Sequence, residues 1–122
     1  MENLPSYIRD TKHILNILSD IEWEAGMRFV TLDAVSLYTN ISHESGLRAL
    51  RFFLYQRPAG FLEQTEMLLE MANLILQNNV FLFNGIWYQQ LCGVAMGSRF
   101  APSLANLFLG WFESVYIWGL LG

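Results

Sequence analysis

The sequence predicts an α+β fold in which packed helices accompany an incomplete antiparallel sheet. Several windows place apolar residues at helical spacing, and Asn84-Gly85 lies between two β-rich runs, as in a two-residue hairpin turn. A third run, Phe29 to Leu32, also has the composition of a strand. These strands are too few for a complete sheet, and the 122 residues suffice for one small domain.

The composition indicates a dense core and little positive charge. The chain is 53% hydrophobic and 15% aromatic, which excludes a disordered tail. Its net charge is −4 and Lys12 is its only lysine, which argues against a free-standing nucleic-acid-binding domain with a basic patch. Cys92 is the only cysteine, so an internal disulfide and a Cys-rich zinc site are excluded. A lone cysteine and a polar N-terminus without a signal peptide predict an intracellular protein.

The first elements are a helix and a strand. Asp10 is a suitable N-cap for an amphipathic helix that reaches Ile21, and Gly26 ends this part of the chain. Residues Arg28 to Tyr38 then predict a strand and the turn after it, with Phe29 to Leu32 as the best-defined part. His13 and His43 have no ligand spacing, and we interpret both as surface or helix-start residues.

Two further helices follow. Ser42 is a suitable N-cap for a helix to about Gln56, and Pro58-Ala59-Gly60 separates it from a helix that ends near Gln77. The predicted apolar faces consist of Leu47, Leu50, Phe53 and Leu54 in the first helix and Leu68, Leu69, Ala72, Ile75 and Leu76 in the second. The charged residues expected nearer solvent are Arg48, Arg51, Glu63, Glu66 and Glu70.

A hairpin, a loop and a last helix complete the chain. The hairpin is predicted over Val80–Phe83 and Ile86–Leu91, after Asn78-Asn79 closes the preceding helix. Gly93 and Gly97 mark a flexible loop before the last helix. That helix is expected to begin at Pro102-Ser103 and to carry an apolar stripe of Leu104, Leu107, Phe108, Trp111 and Val115.

Two stretches together resemble the palm of reverse transcriptases, most closely those of Penelope-like retroelements. The stretch "LDAVSLYTNI" (Leu32–Ile41) is similar to the family's motif A, and "GVAMGSRFAPSLANLF" (Gly93–Phe108) is similar to its motif B. Pro5–Leu18 and Ile75–Gly85 are similar to its connecting segments. The resemblance covers most of the chain and implies that residues 1–122 are part of a reverse transcriptase domain, a partial polymerase palm.

The resemblance implies roles for three residues of the first motif. Asp33 takes the place of a catalytic carboxylate that binds Mg²⁺, and the backbone carbonyl of Ala34 would assist it. Magnesium prefers oxygen ligands, and polymerases use two such ions. Tyr38 takes the place of the steric gate, whose ring excludes a ribose 2′-hydroxyl. Taken alone, Asp33 would be interpreted as an acid at a strand end that caps a turn or faces water.

In the second motif, the resemblance implies that Met96, Gly97 and Ser98 contact the nucleotide or the template base. A glycine there lets the backbone approach closely, although an ordinary loop before a helix would explain it equally well. The implied partners are an RNA template, a DNA primer and deoxynucleoside triphosphates. The implied activity is RNA-directed DNA synthesis with Mg²⁺ as cofactor.

The family's motif C, an aromatic-x-Asp-Asp turn that supplies the remaining metal carboxylates, has no counterpart here. The only aspartates are Asp10, Asp20 and Asp33. The basic finger segment and the GIY-YIG nuclease domain of many relatives are also absent. We therefore expect an internal fragment or a truncated copy that is inactive as an isolated chain, which leaves open whether this chain is itself an enzyme.

Two other functions stay open on the sequence. One is a non-enzymatic interaction module derived from the palm, in which an exposed apolar face would favour partners or self-association. The other is a membrane-associated peptide, because Phe100–Gly122 is apolar and Glu113 is its only charged residue. Polar residues within that stretch argue against a membrane-associated peptide, so membrane association is not expected.

Overall fold

The computed structural model describes residues 4–121, which divide into two compact units, one up to Val35 and one from Ser36 onward. Helices and a two-stranded antiparallel sheet make up its regular structure. The α+β class predicted from the sequence is therefore confirmed.

The first unit contains helix α1, Thr11–Ser19. The Asp10 carboxylate accepts a hydrogen bond from the backbone N–H of His13 at 2.8 Å, so the predicted N-cap is confirmed. The helix ends two residues before the predicted Ile21, and none of its residues is buried.

Of the strand and turn predicted over Arg28 to Tyr38, the strand is wrong, whereas a turn is present at Val35 and Ser36. The chain from residue 27 to residue 34 has no regular structure, and Leu37–Asn40 form a short helix, α2. The apolar side chains of Phe29, Val30 and Leu32 are 76%, 78% and 85% exposed. A strand requires a neighbour to satisfy its backbone groups, and the strands of the described residues pair only with each other.

The second unit continues with two helices that lie side by side. Helix α3, His43–Leu54, begins where predicted, because the Ser42 hydroxyl oxygen accepts a hydrogen bond from the backbone N–H of Ser45 at 3.1 Å. A 3₁₀ turn, Ala59–Gln64, leads into helix α4, Thr65–Gln77. The predicted apolar face of α4 is buried at Leu69, Ala72 and Leu76, whereas Ile75 lies at its margin and is 43% exposed. The arginines and glutamates expected near solvent are exposed.

The predicted hairpin is confirmed. Strand β1, Val80–Phe83, pairs antiparallel with strand β2, Ile86–Gln89, which is two residues shorter than predicted. Asn84 and Gly85 have φ values of +50° and +76°, the left-handed conformation that a two-residue hairpin turn requires.

Helix α5, Ala101–Phe112, begins one residue before the predicted start. Its predicted apolar stripe faces the core, with Leu104 and Trp111 buried. A π-helical turn, Glu113–Ile117, and a short helix α6, Trp118–Leu121, follow it. The wider π turn rotates later positions off the stripe, so Val115 is 45% exposed instead of buried. Within residues 4–121, no helix is both long and apolar enough to cross a membrane.

The core of the second unit lies where α4, α5 and the residues before α3 and α5 converge. Its buried members are Ile41, Leu76, Val94, Ala101, Leu104 and Ala105. A Cβ at Gly46 would lie 3.3 Å from Leu104 Cδ2, so this glycine lets α3 and α5 approach closely. Both motif segments therefore contribute to one core, through Ile41 in the first and Val94 and Leu104 in the second.

Candidate functional site

Asp33 and Ala34 lie at the end of the irregular segment of the first unit, and both are exposed. The Asp33 carboxylate makes no hydrogen bond or ion pair with another described residue. Its surroundings therefore give it neither a structural partner nor a rigid strand on which to hold a metal. No group of three or more His, Cys, Asp or Glu side chains able to hold a metal occurs in the described part of the chain.

Tyr38 lies in the second unit, within α2, where its half-buried ring packs against the core. Packing against buried neighbours restricts the rotamers of the ring, so its position is defined by the fold. The backbone carbonyl of Tyr38 accepts a hydrogen bond from the backbone N–H of Val94 at 2.7 Å. This bond connects the end of the first motif directly to the start of the second.

Gly93 makes the contact between the two motifs possible. Its φ is +80°, and a Cβ built on it would lie 2.8 Å from both Cα and O of Thr39 and 2.9 Å from O of Tyr38. All three atoms belong to backbone, which cannot move aside as a flexible side chain can. Only glycine fits here, both for its conformation and for the close approach of the two chain segments.

His43 supports the same contact from the first turn of α3. Its Nε2 lies 3.0 Å from the carbonyl oxygen of Gly93 and is partly buried, so the imidazole donates to this oxygen when Nε2 carries a proton. The expectation that His43 is a helix-start residue is confirmed. Its contact with Gly93 was not predicted, because no local sequence signal links residues that lie 50 positions apart.

A shallow pocket of about 140 Å³ lies beside this contact. Tyr38 and Met96 line it together with Ser36, Leu37 and Thr39. The structure thus brings together one predicted site residue from each motif. Met96 is 75% exposed, which leaves its flexible side chain free to adapt to a bound group.

Gly97 and Ser98 follow Met96 but differ in their surroundings. Gly97 has a φ of +91°, and a Cβ added to it would meet no atom within 4 Å. The Ser98 hydroxyl oxygen accepts a hydrogen bond from the backbone N–H of Ala101 at 3.1 Å. Ser98 therefore satisfies the first backbone N–H of α5, and this structural role accounts for the residue without a ligand.

The pocket has an uncharged lining. The described side chains with clearly shifted pKa values belong to a surface cluster on α3 and α4 instead. There, the Tyr55 hydroxyl donates to the Glu66 carboxylate at 2.7 Å, and Arg51 pairs with the same carboxylate at 2.8 Å. The hydrogen bond from Tyr55, followed by that from Arg51, lowers the pKa of Glu66, and the bond to Glu66 raises the pKa of Tyr55. This cluster connects the two helices and was not predicted to be functional.

A second and larger pocket, of about 260 Å³, lies within the first unit. Trp23 and Phe29 stack at its wall with ring centroids 5.1 Å apart, and Arg28 contributes a charge. Asp33 is not among its lining residues. It therefore does not include any residue that the sequence assigns to the candidate site.

Comparison with protein-family models, curated proteins and solved structures finds no match to this chain. The assignment of a function consequently depends on the residues of the two motifs and on their geometry in the fold.

Proposed function

We propose that these residues are part of the palm of a retroelement reverse transcriptase of the Penelope-like type, containing its motif A and motif B regions. The ancestral activity is RNA-templated DNA synthesis. The isolated 122-residue chain is proposed to be inactive, because no aspartate follows Asp33 to supply further metal ligands.

The contact between the two motif segments is the observation that supports this proposal most. The segments lie more than fifty residues apart in the sequence, yet Val94 N–H donates to the carbonyl of Tyr38 at 2.7 Å. Tyr38 and Met96 then line one pocket. A nucleotide site built from both motifs requires this proximity. Two segments that resembled the motifs only by chance would have no reason to lie in contact.

In the proposed site, Tyr38 is the residue that reads the sugar. Packing against the core keeps its ring in place, so it can exclude a 2′-hydroxyl by steric contact without moving aside. Met96 lines the pocket and Gly97 follows it in the chain, and both are exposed. They are proposed to face the base or the template. Ser98 contributes by fixing the start of α5.

The proposed Mg²⁺ site is incomplete in this chain. Magnesium usually keeps several waters and needs only one or two protein carboxylates beside substrate phosphates, so the Asp33 carboxylate and the Ala34 carbonyl could contribute to one ion. A single carboxylate does not suffice for the two ions of a polymerase centre. Asp33 is exposed in an irregular segment, and no group of three or more metal-ligating side chains occurs among the described residues. The residues present therefore do not fit the complete metal centre, and no catalytic step is derived through it.

The transcript that encodes this chain provides the most direct test. We expect an aromatic-x-Asp-Asp turn to be encoded within a few dozen residues after Gly122. A transcript that continues without such a turn, or that stops at this codon in every copy of the gene, would remove the support for a functional polymerase.

Nucleotide binding provides a second test that uses the chain alone. Addition of dNTP to isotope-labelled chain should shift the Met96 methyl and Gly97 amide resonances more than addition of the corresponding NTP. Tyr38→Ala should remove this difference, while Tyr55→Ala, a change at a tyrosine outside the pocket, should preserve it. Equal shifts with both sugars in the unmodified chain would contradict the role of Tyr38.

Primer extension tests the proposed inactivity. Purified chain, a primed RNA template, dNTPs and Mg²⁺ should give no product above background. Extension that disappears in Asp33→Ala would show that other carboxylates or a second copy of the chain complete the metal site.

A non-enzymatic interaction module is the second candidate function, and the hairpin is the observation that favours it. All of its strand residues are exposed although most are apolar. An uncovered apolar surface of this kind is typical of a site for a partner.

A further inference from the structure

The hairpin β1–β2 exposes an unusual amount of apolar surface. Each of its strand residues is exposed, and the side chains are apolar except at the last position. Their exposed fractions are 61% for Val80, 47% for Phe81, 55% for Leu82, 67% for Phe83, 56% for Ile86, 69% for Trp87 and 43% for Tyr88. Because an isolated two-stranded hairpin is marginal in water, this surface gains stability when it is covered.

The hairpin is short, with four residues in each strand, but it lacks the charges and prolines that keep edge strands apart. Proteins commonly protect such edges with lysine, other charges or proline. Here no charged residue and no proline occurs between Glu70 and Arg99. The chain as a whole has a net charge of −4, so two copies repel each other least where this neutral hairpin faces its equivalent.

The register identifies which backbone groups of β1 point outward. Phe83 pairs with Ile86 next to the two-residue turn, and Gln90 N–H donates to the Asn79 carbonyl at 2.8 Å at the other end. Hydrogen-bonded and non-hydrogen-bonded pairs alternate between these two ends. Phe81 therefore bonds within the hairpin, whereas Val80 and Leu82 direct their N–H and C=O groups away from β2.

We propose that a second copy of this chain covers β1, with the two β1 strands pairing antiparallel about a two-fold axis at Phe81. In this register Val80 of each copy lies opposite Leu82 of the other, and their outward N–H and C=O groups form four hydrogen bonds. The result is a four-stranded antiparallel sheet with β2 at each outer edge. An isologous contact of this kind is closed and forms dimers, not fibres.

The edge of β1 is better suited to this pairing than the edge of β2. Pairing β1 with itself places Val80 against Leu82 on one face and Phe81 against Phe81 on the other. The equivalent pairing of β2 would place Trp87 against Gln89, an aromatic ring against an amide. Cross-strand pairs of matched apolar side chains contribute more to a sheet, so the symmetric contact is expected at β1.

The contact is small, and this determines how tightly the copies associate. Edge pairing covers on the order of 300–400 Å² per copy, below the ~800 Å² per partner of a standard stable interface. The dimer is therefore expected to form over tens of micromolar and to dissociate on dilution. This inference does not depend on the proposed polymerase ancestry.

Sedimentation velocity of the full chain between about 5 and 200 µM tests the proposal, with two proline variants. Leu82→Pro removes an N–H that points outward and takes no part in the hairpin, as edge-strand proline can. It should abolish the concentration-dependent dimer. Trp87→Pro makes the equivalent change at the outer edge of β2 and should leave the dimer intact.

Hydrogen exchange of the unmodified chain gives a measurement that does not depend on how the variants fold. The Leu82 amide should exchange several-fold more slowly at 200 µM than at 5 µM, while the Trp87 amide should not change. A chain that is monomeric at 200 µM, or slower exchange at Trp87 but not at Leu82, would overturn the proposal. Equal association of both proline variants and the unmodified chain would also overturn it, since another surface would then be responsible.

Discussion

Replacing Gly93 by alanine should disrupt the contact between the two motif segments. Gly93 has a φ of +80°, and its missing Cβ would meet backbone atoms of Thr39 at 2.8 Å. Observed Cβ atoms essentially never lie within 3.0 Å of such atoms, so the segments must move apart. The Val94–Tyr38 hydrogen bond, 2.7 Å long, lies next to this clash and would lengthen or break.

The magnitude follows from three contributions. A non-glycine residue in the left-handed region costs about 1–2 kcal/mol. Forcing extra volume into a packed contact costs about 1–3 kcal/mol, and loss of a backbone hydrogen bond about 0.5–1.5 kcal/mol. We therefore expect Gly93→Ala to lower the free energy of unfolding by about 2.5–6.5 kcal/mol, a large part of the 5–15 kcal/mol typical of a domain.

Gly97→Ala is the matched control. Gly97 also has a positive φ, +91°, but its added Cβ meets nothing within 4 Å. This variant should lose only the conformational contribution, about 1–2 kcal/mol. The difference between the two variants therefore measures the motif contact itself.

Urea unfolding followed by far-ultraviolet circular dichroism and tryptophan fluorescence provides the assay, with Trp111 as a buried reporter of the core. A Gly93→Ala chain that is unfolded in water while Gly97→Ala remains folded would agree with the prediction. Equal midpoints and equal slopes for the two variants would refute it, because the close approach at Gly93 would then contribute nothing.

Three further outcomes are expected. Gly85→Val should lower the melting temperature of the hairpin, because a β-branched residue is strained at a φ of +76°; an unchanged melt would contradict the turn. Leu76→Ala, at a side chain with 0% exposure, should cost about 2–5 kcal/mol, while Leu74→Ala on the same helix, 60% exposed, should cost far less in the same urea titration. The hydrogen bond from Tyr55 lowers the pKa of Glu66, so the bond contributes stability above pH 4.5, and this stability is lost as the pH falls below 4.5. The same bond raises the pKa of Tyr55 above 10.0, so its contribution is present below pH 10.0 and is lost at higher pH. Tyr55→Phe should therefore raise the pKa of Glu66 in a carboxyl NMR titration, and an unchanged pKa would show that the bond does not persist in solution.

The helix starts and the hairpin could be predicted because their signals are local. Asp10 and Ser42 cap α1 and α3 through backbone N–H groups three residues ahead, and such a bond forms wherever the residue precedes a helix. The two-residue turn Asn84-Gly85 brings the two strands that flank it into antiparallel pairing. Each of these features needs only residues within one turn of the chain, so the sequence alone contains the information.

The candidate site could be predicted only in part, because its geometry depends on distant residues. The two segments were grouped by resemblance alone, and the structure places Tyr38 of one and Met96 of the other in one pocket. The bond between His43 and Gly93 could not be predicted, because neither residue carries a local signal for the other. Val115 shows the same limit, since a π turn that follows α5 shifts it off a stripe that periodicity would continue.

The wrong strand and the uncovered hairpin have one physical cause. The composition of Phe29–Leu32 favours a strand, but no described strand pairs with the segment, which is irregular and exposed. The hairpin has its turn and forms, yet its edges and faces lack a cover. Both regions would gain stability from a neighbouring partner strand, which local sequence cannot provide. Concentration distinguishes the possible sources of that partner: an edge covered by a second copy is exposed again on dilution, whereas an edge covered by residues of the same longer chain stays protected at every concentration.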